Sequence, residues 1–261
     1  MGAFASPSGE LVLVREEAGA ALRGLPEGSV SLLVTDPPWN TGTTRKGANG
    51  ASYSDEYTFE AYEATMREFF TEARRVVEPE GTLAVWADYR FVPYLAVWGD
   101  AVWGRKQRVG EVVVESLLGN PGKARWPVKH STILLFARSA EQRFFSEELP
   151  EVPRRPGGKV RREHNGKEYS YGDNKKVASV LSATLSNTDP QRVGYPDQKP
   201  EWVYELLIRA FTLPGALVVD PFAGSGTCGA ACKTTGRACL LADRSEQAIE
   251  TIVKRLALTE V

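Results

Sequence analysis

No stretch of this chain narrows its fold as far as Asp220-Pro221-Phe222-Ala223-Gly224-Ser225-Gly226-Thr227. An apolar run at 216–219 leads into it, and a segment with helical spacing leads out. A further apolar run at 238–242 then ends on Asp243. Strand, glycine loop, helix, strand and acid form a parallel βαβ unit. Its loop lets backbone approach a ligand closely, and its acid can bind ribose hydroxyls. The residues alone leave three readings of the loop. Gly224, Gly226 and Gly229 have the spacing of a dinucleotide site. A carboxylate at Asp220, however, would repel a pyrophosphate and suit a sulfonium bearing an amino group, the form of S-adenosyl-L-methionine. A plain structural turn is the third reading. A Walker phosphate loop is excluded, because Gly-Lys-Ser/Thr occurs nowhere.

The same alternation runs through the rest of the chain. Apolar runs at 11–14, 30–35, 82–87, 111–115 and 132–137 suit strands, several of them buried on both faces. Apolar residues recur at three- and four-residue steps from Phe59 to Val77, the face of an amphipathic helix that ends near Pro79 and Gly81. Helices are also expected at 201–211, after Thr227, and at 246–256. Such an order implies an α/β fold with a doubly wound, mostly parallel sheet. Residues 40–57, rich in Gly, Ser, Thr and Asn, are expected to form a mobile loop. Residues 1–137 and 198–261 then make two halves of one domain, and 138–197, nearly devoid of apolar runs, makes an insert between them. No repeat of 20 to 50 residues is visible.

Hydrophobic residues at 42% and charged residues at 25% are ordinary for a globular protein, which argues against disorder and disulfide scaffolds. Lys and Arg number 32 against 33 Asp and Glu, so a case for nucleic acid must come from local clustering. Residues 154–176 supply it, with eight basic residues against three acidic. Arg154, Arg155, Lys159, Arg161, Arg162, Lys167, Lys175 and Lys176 suit phosphate contact, although a solvated surface would look the same. The glycine-rich 41–54, with Arg45 and Lys46, could close over the same ligand. Three cysteines without a framework, no basic-then-apolar leader and no apolar stretch near 20 residues point to a reducing interior, and to no membrane. Cys228 and Cys232 read as small core residues, and no metal is expected. His130 reads as structural or DNA-facing.

The run 30–35 opens onto a second loop, Asp36-Pro37-Pro38-Trp39. Two consecutive prolines fix the backbone and remove two donors, leaving carbonyls beside a carboxylate and a flat ring. Such a site accepts hydrogen bonds from a planar amine while the ring stacks. A rigid turn whose tryptophan merely packs is the bland alternative.

Together these two loops resemble those of the DNA amino-methyltransferases, which methylate the exocyclic amine of adenine or cytosine. Asp36-Pro37-Pro38-Trp39 is similar to the family's catalytic tetrapeptide, and Asp220 to Gly226 to its S-adenosyl-L-methionine loop. Tetrapeptide before glycine loop is the order of the beta class. Landmarks at 25–30, 75–82 and Gln198-Lys199-Pro200 extend the likeness to nearly the whole chain outside 138–197. The resemblance implies a Rossmann-like methyltransferase fold with a small target-recognition insert. It implies that Asp36 and the Pro37 carbonyl accept the amine's N–H bonds, that Pro38 holds the turn, and that Trp39 stacks on a base flipped out of the duplex. It places Asp36, Lys199, Asp220, Pro221, Phe222, Ala223, Gly224, Ser225, Gly226, Thr227 and Asp243 at the cofactor. Asp243 stands where glutamate is more usual, and the family's acid near the adenine ring should fall at Glu16 or Glu17.

The partner implied is DNA, in a bacterial or phage-infected cytoplasm, with a homodimer possible. An aspartate opening the tetrapeptide favours N6 of adenine over N4 of cytosine. RNA or protein-glutamine methylation fits less well, since those relatives open with asparagine and keep the glycine loop first. A silent DNA-binding partner fits poorly with Asp36, Trp39, Asp220 and Asp243 all intact. The absence of a Pro-Cys dipeptide argues against carbon-5 cytosine methylation.

Overall fold

In the computed structural model the described residues are 2–48, 50–116, 126–141, 143–146, 149, 151–153, 161–164, 167–170, 174–186 and 188–261. For 151–153, 161–164, 168–170 and 174–176 the path of the chain alone is described. The strands of the first half are β1 (Ala3–Ala5), β2 (Leu11–Arg15), β3 (Val30–Thr35), β4 (Thr43–Lys46), β5 (Ser52–Asp55), β6 (Val77–Ala87), β7 (Arg108–Glu115) and β8 (His130–Ala137). Four short strands follow, β9 (Glu151–Pro153), β10 (Arg161–His164), β11 (Lys167–Ser170) and β12 (Asn174–Lys176). The last are β13 (Val180–Ser182), β14 (Leu217–Asp220), β15 (Ala238–Asp243) and β16 (Thr259–Glu260). Helices are α1 (Ala18–Arg23), α2 (Phe59–Val76), α3 (Val92–Trp103), α4 (Glu201–Phe211), α5 (Thr227–Thr235) and α6 (Glu246–Leu256).

Ten strands form one sheet in the order β13-β7-β8-β6-β3-β14-β15-β2-β1-β16. Its centre, β6-β3-β14-β15-β2, is wholly parallel, and antiparallel pairs lie towards both edges. One face is covered by α2 and α3 and the other by α4, α5 and α6, each with its own buried cluster. The alternation of β3 shows why both are needed, since Leu32 and Val34 enter one cluster and Leu33 the other. No described helix is long and apolar enough to cross a membrane.

The helix expected at 59–77 is α2. Thr58 caps it by accepting the Ala61 N–H at 3.2 Å, and Arg74 and Arg75 complement its last turn. Its face of Tyr62, Met66, Phe69, Phe70, Ala73 and Val76 is buried, at about 1.5–3 kcal/mol for each large side chain. The strand expected from Thr82 begins earlier, at Val77, and passes so near β3 that a Cβ on Gly81 would meet the Val30 and Ser31 carbonyls at 2.9 Å. Helix α3 went unforeseen because it is apolar around most of its circumference. Its Gly99 faces the Phe136 ring, where a Cβ would come within 2.3 Å.

Two expectations need correction. Residues 40–57 are not a structureless loop, for β4 and β5 pair antiparallel as a hairpin. Their residues are polar because neither face enters the main core. Asp55 organises the entry instead, accepting the Asn40 N–H at 2.8 Å, the Thr41 N–H at 3.0 Å and the Thr41 hydroxyl at 2.7 Å. The segment 138–197 also contributes to the main sheet, since β13 lies parallel to β7 as an edge strand.

Candidate active site

From β3 the chain proceeds outwards through α2 to β6, and from β14 it proceeds the other way through α5 to β15. The neighbours β3 and β14 therefore flank the point where the winding reverses, and a crevice opens beyond their carboxyl ends. Both loops singled out in the sequence begin there. Thr35, the last residue of β3, donates its hydroxyl to Asp220 Oδ1 at 2.6 Å. The Phe222 N–H adds a second donor to the same oxygen at 3.1 Å. Burial nevertheless pushes the Asp220 carboxyl up to about 7, because two hydrogen bonds recover only part of the lost hydration.

The glycine loop turns twice through the left-handed region, at Gly224 (φ 49°) and Gly226 (φ 76°), where a side chain would be strained. Asp243 closes it from the next strand. Its Oδ2 accepts the Gly224 N–H at 2.9 Å and its Oδ1 accepts the Ser245 N–H at 2.8 Å. An acid expected only to bind ribose thus also fixes the loop. Each oxygen retains a lone pair for a ligand hydroxyl. Burial raises this carboxyl too.

Around the tetrapeptide, Trp39 donates its indole N–H to Asp36 Oδ1 at 2.8 Å. Lys199 forms an ion pair with Asp36 Oδ2, its ammonium lying 4.4 Å from the centre of the Trp39 ring. Tyr62 reaches up from α2 and donates to the Pro38 carbonyl at 2.7 Å, which fixes the backbone of the turn. Asp36, Trp39, Lys199, Asp220, Gly224 and Asp243 all line one cavity of about 220 Å³. Pro37, Pro38, Pro221, Phe222, Ala223, Ser225 and Thr227 line it as well, while Gly226, the N-cap of α5, does not. The cavity wall thus carries three carboxyls, Asp220 buried at the end of β14, and Asp36 and Asp243 half-buried at the ends of β3 and β15.

Of the further lining residues the sequence placed Glu17 and Arg45 only loosely, and Tyr53 and Tyr195 were not foreseen. Glu17, rather than Glu16, faces the cavity and pairs with Arg244 at 3.3 Å. Tyr195 lies over Gly224, with a ring carbon 3.4 Å from where a Cβ would be. Arg45 and Tyr53, opposite each other in the hairpin, both reach Asp197, at 3.4 and 3.1 Å. None of these has a periodic or spaced signature, since the contacts span from 29 to 227 residues. Arg45 is therefore turned towards the crevice.

Among the basic residues, Arg154, Arg155 and Lys159 lie outside the described residues. Arg161 and Arg162 fall on β10, Lys167 on β11, and Lys175 and Lys176 on β12. Lys167 is exposed. His130 starts β8, exposed, and lines a second cavity of about 320 Å³ on the far side of Trp39. Cys228, Cys232 and Cys239 are all buried in the cluster under α4, α5 and α6.

Comparison with known proteins shows the family and the fold. The chain is 28% identical over 245 residues to the type II methyltransferase M.HpaI of Haemophilus parainfluenzae, covering 94% of this chain and 73% of that one. Among solved structures it is similar to the PvuII DNA methyltransferase, described as cytosine-N4-specific, with a TM-score of 0.66 at 17% identity, over 94% of this chain and 86% of that one. It is also similar to M1.HpyAVI in complex with SAM, with a TM-score of 0.60 at 18% identity, over 94% and 98% of the two chains. These two likenesses concern the fold. The family model described as DNA methylase, whose name joins N6 and N4, matches residues 30–254, and the chain belongs to that family.

Proposed function

We propose that this protein transfers a methyl group from S-adenosyl-L-methionine to the exocyclic N6 amine of adenine in DNA. The observation that carries the reading is the meeting of Asp36 and Asp220 at the carboxyl ends of adjacent strands, joined through Thr35. Three carboxyls around one cavity, Asp220 buried and Asp36 and Asp243 half-buried, fit a ligand with a sulfonium and an ammonium, and fit a pyrophosphate badly. The two left-handed glycines leave room for its amino-acid end. When bound, that cofactor supplies an electrophilic methyl.

The chain's own residues prepare the acceptor. An exocyclic amine is a poor nucleophile because its lone pair is delocalised into the ring. Asp36 and the Pro37 carbonyl accept its N–H bonds and draw electron density back to nitrogen as positive charge develops there. This is preorganised electrostatic stabilisation. Trp39 offers a face for the extruded base, and Asp36 in turn orients the indole through its N–H. The basic residues of 154–176 contact phosphate and give binding its dependence on salt.

Adenine is preferred because an aspartate opens the tetrapeptide and because an indole offers stacking area to a two-ring base. Cytosine N4 is the second reading, favoured by the fold shared with the PvuII enzyme. The test is to methylate duplex DNA with the purified protein, digest it to nucleosides and resolve them by mass spectrometry. N6-methyladenine is expected. N4-methylcytosine alone would replace adenine as the substrate and leave the site assignments standing.

A further inference from the structure

Lys199 lies where a cofactor ligand was expected, yet its ammonium is committed to the tetrapeptide. It pairs with Asp36 Oδ2, donates to the Asp197 carbonyl at 3.1 Å, and sits 4.4 Å from the Trp39 ring and 5.3 Å from that of Trp86. Its side chain is only 12% exposed, and that of Asp36 20%. With the Trp39 indole on Oδ1, each carboxylate oxygen has a donor from the protein itself. Lys199, Trp39 and Asp197 also line both cavities, so this cluster forms the wall between them.

The surroundings otherwise oppose a negative charge at Asp36. Burial favours the neutral acid, and the Asp197 carboxylate from the same loop as Lys199 acts in that direction too. Asp220 on β14 is a further acid nearby, its own carboxyl pushed up to about 7 by burial, while Tyr53 from the hairpin, Tyr62 from α2 and Tyr204 from α4 face the group as neutral phenols. Arg45 is paired with Asp197. The strongest influence in the other direction is the ammonium of Lys199. A protonated Asp36 would present an O–H to an incoming amine and lose part of its power to accept N–H bonds.

We propose that Lys199 is a positioning residue of methyl transfer, holding Asp36 ionised and aimed into the crevice, and not a ligand of the cofactor. This rests on the reading of Asp36 as the acceptor of the substrate amine. Lys199→Met removes the charge at similar length, Lys199→Arg keeps it, and Lys199→Gln serves if the methionine variant does not fold. Aspartate carboxyl carbons labelled with ¹³C are followed against pH in each full-length protein, with Asp36→Asn identifying the signal. The acid limb of kcat on duplex DNA is measured in parallel.

In Lys199→Met both the Asp36 titration and the acid limb should move up by about one to three pH units, with activity recovering at alkaline pH. Lys199→Arg should leave both near the wild-type position. An unmoved titration would overturn the proposal, and so would a rate loss equal at every pH. Weakened cofactor binding with an unmoved titration would instead return Lys199 to the cofactor and also reject the proposal. A wild-type protein that methylates no DNA would remove the proposed function, while the carboxyl titration would still accept or reject the ion pair.

Discussion

The loops after β3 and β14 each place an acid at the same crevice, yet they hold it by opposite means. The first is built on prolines, which offer carbonyls and no N–H, and its acid meets side chains, the indole of Trp39 and the ammonium of Lys199. The second is built on glycines, which expose backbone, and its acid meets the strand beside it through Thr35 and its own turn through Phe222. Side-chain partners can be exchanged for an incoming substrate by rotating a few bonds. A threonine hydroxyl one rotatable bond from the backbone of a strand, and a backbone N–H, have far less freedom. The difference separates an acid suited to a reaction step from one suited to standing binding, and each role can be tested by removing the corresponding group.

The largest effect is expected at the first loop. Asp36→Ala should lower turnover by at least about 10³-fold while cofactor affinity stays within about tenfold, because the lost bonds matter most in the transition state. Methyl incorporation and calorimetry give the two quantities. Normal turnover would end the assignment of Asp36 as acceptor.

Asp220→Asn should reverse the pattern, weakening the cofactor by roughly 10–100-fold, the usual weight of a hydrogen bond to a charged group. It also predicts a dependence on pH. The ionised acid binds a cation, so in the wild type a proton must leave before binding at any pH below about 7. Affinity should fall by about tenfold for each pH unit below that point until the loss reaches that of the asparagine variant, which should itself lack this dependence. Folding runs the other way. The folded protein keeps the Asp220 proton up to about 7 whereas the unfolded chain releases it near 3.8, so stability declines as pH rises between them. The cofactor-free asparagine variant should therefore melt above the wild type at alkaline pH. Parallel affinity curves for the two proteins would show that another group titrates.

The smallest effects should come from the donors. Trp39→Phe removes one bond to Asp36 and should cost about five- to twentyfold in turnover, whereas Thr35→Val removes one to Asp220 and should cost a similar factor in cofactor affinity. If both variants lose the same quantity, the two acids do not divide the work as described.

Much of this division was legible from residues close together in the chain. The run Val30–Thr35, the proline turn and the glycine loop each announce themselves within eight residues, because turn chemistry and strand burial are local. The partners of the acids were not legible. Lys199 stands 163 positions from Asp36 and Thr35 stands 185 from Asp220, and only the winding of the sheet brings them together. The hairpin of β4 and β5 escaped for another reason. Its strands are polar on both faces, and what orders them is a single carboxylate, Asp55, whose three bonds leave no pattern in the sequence. Asp243 was expected as a ribose ligand, and its second task at Gly224 is a contact that no spacing rule implies.

The bond from Thr35 to Asp220 has a consequence for how such a chain can change. Asp220 and Asp36, the two acids proposed to face the donor and the acceptor of a methyl, are registered by the pairing of adjacent strands, Val218 opposite Leu32 and Val219 opposite Leu33, and by the Thr35 bond. The length of polypeptide connecting them has no part in setting that separation. Surface segments between the two strands, outside the strands and helices that build the sheet and its cover, can therefore be lengthened, shortened or exchanged, as a tool head is changed on a fixed chuck, while the working distance stays the same.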